Sequence, residues 1–574
     1  MDNKAIAKVF DEVADILDIQ GGNVFRINAY RKAALNILNS PRDLRDIVDK
    51  APNDLPKIPG IGQGLKAMIV ELVQTGHSKD HEKLKKSIPA GLLEMLHIRS
   101  LGPKKVKMLY GKLGVKSIKE LKKSAKDGRI RDLEGMGARS ETVILKAIEE
   151  YSKFSTERTL ISEAKMEALR IIEYMKGCKE VAKIEYAGSL RRGKETIGDI
   201  DILITVKDSE KSHGVVMDHF AAYDDVLNVI ASGDTKSTIM LISGMHVDLR
   251  VINDDSFGAA MHYFTGNKQH NIKIRDIAKK KGLKVSEYGV FKGKKLVACK
   301  SEEDVFKAVG FPYIIPEIRR NEGEIEYALK NKKMPEFVEL SDIRGDLHCH
   351  STYSDGKYSV EEMTLAMIAK GYEYFAMTDH SSLVGVTGGM GKKDIMKQWK
   401  EIDKLNKKYD KKIKIFKGCE VDILKDGGLD FDDEVLKGLD VVIIAAHLYQ
   451  RLGEKEQTKR LIEAIENPYS TMMAHPSGRL INKRPMMEYD VEKVIDACAS
   501  NGVVMEINAN PLRLDLIDKY VRIAKDKGVK IAINTDAHSP SQLDYMEFGV
   551  GIARRGWLQK NDILNTQPLS KLKF

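Results

Sequence analysis

The chain has 574 residues, is 42% hydrophobic and 31% charged, and carries a formal net charge of +10 with a pI near 8.9. That length exceeds one core and suggests three to four domains of roughly 150 residues, while the charge favours a polyanionic partner. Five scattered cysteines without a CxxC pair argue against a disulfide framework, "MDNKAIAKVFDEVADIL" reads as an amphipathic helix and not a targeting peptide, and no apolar run reaches the ~18 residues of a membrane span, so a reducing cytoplasm is expected.

Residues 1–150 are predicted to be all helical, with short amphipathic segments broken by Gly and Pro. Within them lie "IPGIGQG" (58–64), "IRSLGPKK" (98–105) and "LEGMGARS" (133–140), which share a glycine spacing; the middle one has Ser100 where its first glycine should be. From about 180 to 315 short strands appear ("KIEYAG", "DIDILITV", "TIMLIS", "HVDLRVI") with helical stretches such as "NIKIRDIAKKKG" between them, an α/β pattern. Residues 310–345, with three prolines and many charges, read as a linker. Beyond it, apolar runs alternate with helices: "YFAMTDH", "IKIFKGCEVDI", "VVIIAAH", "TMMAHP", "VVMEINAN" and "KIAINTDAH". Repeated β-then-α units imply a parallel sheet or barrel.

Those strands end on metal-ligating residue types. "RGDLHCH" ends at His348 and His350, with Asp355 in the following loop; later strands end at His380, Glu420, His447, His475, and Asp536 with His538. In a β/α barrel the C-terminal strand ends converge on one face, and every histidine after residue 300 belongs to this set. Imidazole and carboxylate without thiolate suit manganese, zinc or iron, and nine candidates suffice for two or three ions able to activate water for phosphoester hydrolysis.

A second chemistry is written in "AGSLRRGKETIGDIDILI" (187–204). Gly188-Ser189 is a tight turn able to present N–H groups to phosphate, and Arg191 and Arg192 add positive charge. Asp199 and Asp201 alternate on a strand and so share a face; Asp248 sits in a later strand. Three carboxylates facing one point hold two magnesium ions, the arrangement needed for in-line phosphoryl or nucleotidyl transfer.

The stretches "DLHCHSTYSDG", "TDHS", "GCEVDI", "AAHLY", "AHPSGR" and "NTDAHS" resemble the PHP (polymerase and histidinol phosphatase) domain over about residues 341–574. The resemblance implies a distorted β/α barrel with a trinuclear metal centre, its ligands His348, His350, Asp355, His380, Glu420, His447, His475, Asp536 and His538. The Asp199–Asp201–Asp248 block resembles the nucleotidyltransferase palm of family X DNA polymerases, and "YFTGNKQHNIKIR" (263–275) is similar to that family's nucleotide-binding segment. This implies Gly188, Ser189, Arg192 and Gly198 at the triphosphate, Tyr263, Phe264 and Gly266 at the sugar, Asn271 at the base, and Lys236 and Arg275 on DNA. The N-terminal glycine motifs resemble helix-hairpin-helix elements, in which N–H groups at a helix start grip phosphates without reading sequence; Gly60, Gly62, Gly102, Gly135 and Gly137, with Lys104, Lys105 and Arg139, would contact DNA.

The whole chain therefore resembles bacterial and archaeal family X DNA polymerases carrying a C-terminal PHP domain. The implied order is a helical DNA-binding domain (1–85), a fingers-like helix-hairpin-helix domain (86–155), a palm (156–250), a thumb-like nucleotide-selection domain (251–318), a linker (319–340) and the PHP domain (341–574). The implied function is templated filling of short gaps in DNA repair, with Mg²⁺ in the palm, and a 3′–5′ exonuclease, acting also at abasic sites, with an Mn²⁺ or Zn²⁺ cluster. Its partners would be gapped or primer–template DNA with a 5′-phosphate end and dNTPs, the chain a monomer away from membranes. A template-independent nucleotidyltransferase with a phosphatase domain and a non-catalytic DNA-end scaffold are the alternatives. In polymerase beta, which this N-terminus resembles, a lysine forms a Schiff base with 5′-deoxyribose phosphate; here Met68 holds that position, while Arg26 and Arg31 are candidates to dock the 5′ end.

Overall fold

The computed structural model of the chain describes residues 1–574 apart from 2, 39–43, 51–60, 97, 99–100, 134, 155–157, 208–210, 384–387 and 573–574. It divides into two compact units, Met1–Glu157 and Arg158–Phe574.

The first unit is helical, as its composition leads one to expect. In the helix Asn3–Gln20 the residues Ile6, Phe10, Val13 and Leu17 recur at helical spacing and are buried. They pack with Ile27, Tyr30 and Ile37 of the helix Val24–Leu38 and with Ile69 and Leu72 of the helix Gln63–Thr75. A separate core gathers Leu92, Met95, Val106, Leu109, Leu121, Ile144 and Ile148.

The second unit opens with a two-stranded ribbon, β1 (Thr159–Leu160) against β3 (Thr196–Ile197), beside a five-stranded sheet. That sheet comprises β2 (Val181–Tyr186), β4 (Asp199–Val206), β5 (Val226–Ser232), β6 (Lys236–Leu241) and β7 (His246–Val251), in the order β2-β4-β7-β6-β5. The β4–β7 pair is parallel and sets Asp201 opposite Asp248. Strand β5 was not legible in the sequence: nearly all its residues are exposed, so it shows no apolar face. A small antiparallel sheet follows, β8 (Leu283–Ser286), β9 (Gly289–Lys292) and β10 (Lys295–Ala298), with the helices Phe257–Thr265, Lys268–Lys280 and Glu302–Val309.

The segment read as a linker is built differently. It contains the helix Glu324–Asn331, whose Ile325 and Ala328 are buried in one core with Phe306, Ile314, Ile318 and Trp557. Its charges misled because the buried ones are partnered: Glu324 faces His270 Nδ1 at 2.8 Å, and Arg319 donates to Glu302 at 2.5 Å.

The last part is a parallel seven-stranded sheet in sequence order: β11 (Gly345–Cys349), β12 (Tyr374–Met377), β13 (Lys414–Asp422), β14 (Val441–Ala445), β15 (Met472–Met473), β16 (Val504–Asn508) and β17 (Ile531–Asn534). Most of these strands are buried along their whole length, because helices cover the outer face, and so their sequences run apolar without alternation. First and last strands meet: Leu347 N donates to Asn534 Oδ1 (3.0 Å) and His350 N to Ala537 O (2.9 Å), so the barrel nearly closes.

Candidate active sites

In the palm sheet the alternation of β4 puts Asp199 and Asp201 on one face, and the parallel register adds Asp248. Burial, then the charges of Asp199 and Asp248, push the Asp201 carboxyl up to about 6. Burial acts on Asp248 in the same sense but is outweighed by Lys236 and Thr238, which hold its pKa down. Thr238 Oγ1 donates to Asp248 Oδ1 at 2.6 Å and Lys236 Nζ lies 2.8 Å from Oδ2, so Lys236, expected on DNA, lies against a palm carboxylate. A carboxyl whose pKa is raised by burial and by two neighbouring acids, as that of Asp201 is, marks a place suited to a cation.

The turn beside these acids is fitted to them. Gly188 has φ +60°, and a Cβ there would lie 2.1 Å from Asp201 Oδ2. Ser189 Oγ is buried without a hydrogen-bond partner. Arg192 donates to the Thr265 carbonyl next to Gly266, and burial followed by Arg555 lowers its pKa to about 10. A Cβ at Gly198 would lie 2.8 Å from Arg158 NH1. Tyr263 and Phe264 meet edge-on (centroids 5.2 Å), and the Arg250 guanidinium lies 4.6 Å over the Phe264 ring. Asn271 Nδ2 donates to Tyr263 O (2.7 Å), and its Oδ1 is buried and unpartnered. Arg275 is exposed on the same helix.

At the barrel's C-terminal end the nine sequence candidates come together. His350, Asp355, His380 and His538 form one group, His348, His350 and Asp536 a second, and His380, Glu420 and His447 a third; within each, potential ligand atoms lie within 4.8 Å of one another. His475 Nε2 lies 2.8 Å from Glu420 Oε1. Many of these atoms approach without hydrogen bonding. His350 Nε2 is 3.0 Å from Asp536 Oδ1 and His380 Nδ1 is 3.0 Å from Glu420 Oε2, yet these two ring nitrogens, His348 Nε2, His350 Nδ1 and Glu420 Oε2 are buried without a hydrogen-bond partner among the described residues. Buried polar atoms are otherwise almost always satisfied, so this donor set fits metal ions. Burial pushes the Glu420 pKa up, but His380, His447 and His348 hold it well below the usual range. Burial and then His538 and His380 keep His350 low, favouring the neutral imidazole a metal needs. His475 and Asp536 have φ of +28° and +53°, a strained backbone at the site itself.

Five family models match: a helix-hairpin-helix domain at 1–78, a SAM-like helix-hairpin-helix tandem at 92–150, the DNA polymerase beta palm at 161–239, the DNA polymerase beta thumb at 260–320 and the PHP domain at 346–536. The chain is 38% identical over 577 residues to the DNA polymerase/3′–5′ exonuclease PolX of Bacillus subtilis, covering all of this chain and 99% of that one. The chain belongs to the PolX family. A probable phosphatase of Thermoanaerobacter sp. is 29% identical over 40% of this chain and 92% of its own length, and DNA polymerase lambda of Rattus norvegicus 26% identical over 55% and 56%.

Around the PHP centre are residues the sequence reading missed. Glu506, fully buried in β16, lies 2.8 Å from His348 Nδ1 and accepts the backbone N–H of His475 at 2.8 Å. Asp422 Oδ2 lies 3.0 Å from His447 Nδ1, and Asn508 Nδ2 donates to Asp536 Oδ2 at 3.1 Å. Carboxylates behind ligating imidazoles fix the tautomer and leave Nε2 to the metal. The one available signal was an acid in an apolar run: "VVMEINAN" carries Glu506 inside a strand whose neighbours all end on ligands. Arg513 was missed too. Its Nε is 3.5 Å from Asp536 Oδ2, and its NH1 is buried without a partner.

In the helical unit, Gly62 and Gly102 cap the helices Gln63–Thr75 and Pro103–Leu113, and Gly137 precedes the helix Ala138–Phe154. Among the described residues nothing lies within 4 Å of a Cβ built at any of the three. Those residues therefore leave room at these positions, as the close approach of an external phosphate backbone requires. Gly135, at φ +74°, makes the preceding turn. Lys104 and Arg139 are exposed in the first helical turns and Lys105 is half-buried. Gly60 and Ser100 lie outside the described residues. Arg26 is exposed, whereas Arg31 pairs with Asp15 (3.0 Å) and Asp18 (3.4 Å). Met68 is buried in the core. Among the described residues no helix is long and apolar enough to cross a membrane.

Proposed function

We propose that the chain fills short gaps in DNA by templated nucleotidyl transfer in its palm and degrades 3′ ends in its PHP barrel. One observation carries the reading: a single chain of the PolX family presents both a three-carboxylate face and a separate nine-residue histidine–carboxylate centre. In the palm, Asp199, Asp201 and Asp248 would hold Mg²⁺, which would supply charge neutralisation for nucleotidyl transfer. Gly188, Ser189, Arg192 and Gly198 receive the triphosphate. Tyr263, Phe264 and Gly266 pack on the sugar and exclude ribose, Asn271 meets the base edge, and Arg275 and Lys236 contact the DNA strands. The helix starts after Gly62, Gly102 and Gly137, with Lys104, Lys105 and Arg139, grip phosphates without regard to sequence, and Arg26 docks the 5′-phosphate side of a gap.

In the barrel, His348, His350, Asp355, His380, Glu420, His447, His475, Asp536 and His538 would hold manganese or zinc, which would supply Lewis-acid chemistry for phosphodiester hydrolysis. Glu506 and Asp422 keep His348 and His447 in the ligating tautomer. The free NH1 of Arg513 is suited to a non-bridging oxygen of the scissile phosphate. The same hydrolytic centre would act at abasic sites. The chain works as a cytoplasmic monomer. Incubating the protein with a gapped, labelled primer–template and Mg²⁺ or Mn²⁺, with and without dNTPs, tests the proposal in one gel: template-dictated extension with dNTPs and 3′ shortening without them. Extension that ignores the template would instead support a template-independent transferase.

A further inference from the structure

The palm and the PHP barrel are joined at a point that touches the machinery of both. Glu195 lies between Arg192 and Gly198 in the palm turn, and its carboxylate accepts two hydrogen bonds from Arg479, from NH1 at 3.1 Å and NH2 at 2.7 Å. Both side chains are largely buried (25% and 15% exposed), so the pair is only partly screened by solvent. Arg479 follows His475 by four residues, and it does more than bind Glu195. Its Nε donates to the carbonyl of Arg513 at 2.8 Å and its NH2 to the carbonyl of Leu514. Ile481 N donates to Leu512 O at 2.7 Å, which fastens the same two loops together again. A planar guanidinium thus spends most of its donor fork on one carboxylate of the palm and two carbonyls of the loop that aims Arg513 at Asp536.

Two further contacts reach the same palm turn from the barrel side. Asn482 Nδ2 donates to the carbonyl of Arg158 at 2.9 Å, and the Arg158 side chain in turn donates to Thr196 O. Arg555, anchored on Asp518, donates from NH1 to the carbonyl of Arg192 at 3.0 Å. The segment that would receive the triphosphate is therefore held directly at Arg192 and Glu195, and at Thr196 by way of Arg158, by residues of the other domain.

We propose that Arg479, gripped by Glu195, is a positioning residue for both reactions: it sets the palm's nucleotide turn and the Arg513 loop of the PHP centre together. Neither residue touches a reacting atom. This rests on the two-centre reading above, and it makes a statement that reading does not: a change in the palm at Glu195 alters hydrolysis in the barrel. Lysine cannot reproduce the Arg479 fork, and glutamine at 195 keeps the shape while losing the charge.

The test uses the full chain as wild type, Glu195→Gln, Arg479→Lys and the double variant. Two readouts are taken: KM for dNTP and kcat in gap filling, and kcat for bis(p-nitrophenyl) phosphate with Mn²⁺, a diester that needs no DNA. Glu195→Gln should raise KM for dNTP by about fivefold or more with a smaller change in kcat, and lower diester kcat by about threefold or more, the scale expected of a sub-ångström misplacement. Arg479→Lys should do both, and the double variant should be no worse than the worse single, as for two ends of one interaction. Diester hydrolysis by Glu195→Gln at the wild-type rate, or losses that multiply in the double variant, would overturn the proposal. Should Arg479→Lys not fold, Glu195→Gln decides alone through its diester rate. Wild-type protein that failed to hydrolyse the diester would instead sink the two-centre reading.

Discussion

Gly188→Ala should disable the palm while leaving the barrel working. The residue sits at φ +60°, where an L side chain costs on the order of 1 kcal/mol. Its built Cβ falls 2.1 Å from Asp201 Oδ2. Ordinary carbon–oxygen contact begins near 3.4 Å, so either the turn or the carboxylate must retreat by more than about 1 Å. Asp201 is a proposed metal ligand between Asp199 and Asp248, and displacement on that scale costs about 10²-fold in a positioned reaction, or ~2.7 kcal/mol of barrier. Gly193→Ala supplies the control. It meets the same backbone strain at φ +61°, but its nearest neighbour beyond the turn is Glu317 Cγ at 3.8 Å, so no carboxylate is displaced. Single-turnover extension on a gapped duplex should fall by about 10²-fold in Gly188→Ala and by less than about fivefold in Gly193→Ala, with diester hydrolysis retained in both. Extension by Gly188→Ala within about threefold of wild type, or equal losses in the two variants, would refute the reasoning.

The remaining predictions concern the core network, the DNA contacts and an expected incapacity. Burial raises the Glu302 pKa, but Arg319 and Arg191 overcome this and hold it at about 2, so its contribution, about 3 kcal/mol, is complete above pH 4.5 and lost as pH falls toward 2; urea unfolding followed by Trp557, which packs in the same core, should show Glu302→Gln clearly weaker than wild type at pH 7 and the gap closing by pH 3. Binding to gapped duplex should be indifferent to sequence and lose affinity with salt at about −0.9 in log K per neutralised phosphate, and Lys104→Ala with Arg139→Ala should flatten that slope by about 2; a slope unchanged by both substitutions would contradict the helix-hairpin-helix contacts. Borohydride should trap little 5′-incised abasic DNA on the N-terminal unit, because the aligned position is the thioether of Met68, buried in the core; efficient cross-linking mapped to that unit would prove this wrong.

The parts of the molecule that sequence made legible are those with local rules. Strand ends carry the nine ligand candidates because a β/α barrel presents successive C-terminal ends to one face, and the alternation of β4 fixes Asp199 and Asp201 together. What stayed hidden depends on pairings between distant residues. His348 meets Glu506 across 158 positions, Arg191 meets Glu302 across 111, and Glu195 meets Arg479 across 284. A buried charge reads like a surface charge until its partner is known, which is why 319–340 looked like a linker although Arg319 is buried in an ion pair with Glu302 and Glu324 is buried against His270 Nδ1. Strand β5 failed for the opposite reason, since an edge strand exposed on both faces carries no apolar period.

Whether one chain holds two separate phosphoryl centres, each with its own ligands, is decided by a paired substitution. Asp201→Ala and Asp536→Ala, each shown to be folded by circular dichroism, are assayed on one labelled gapped substrate for extension with Mg²⁺ and dNTPs and for 3′ degradation with Mn²⁺ and no dNTPs. Asp201→Ala should lose extension by orders of magnitude and still degrade, while Asp536→Ala should extend and not degrade. Loss of both activities in either folded variant would contradict two separate centres.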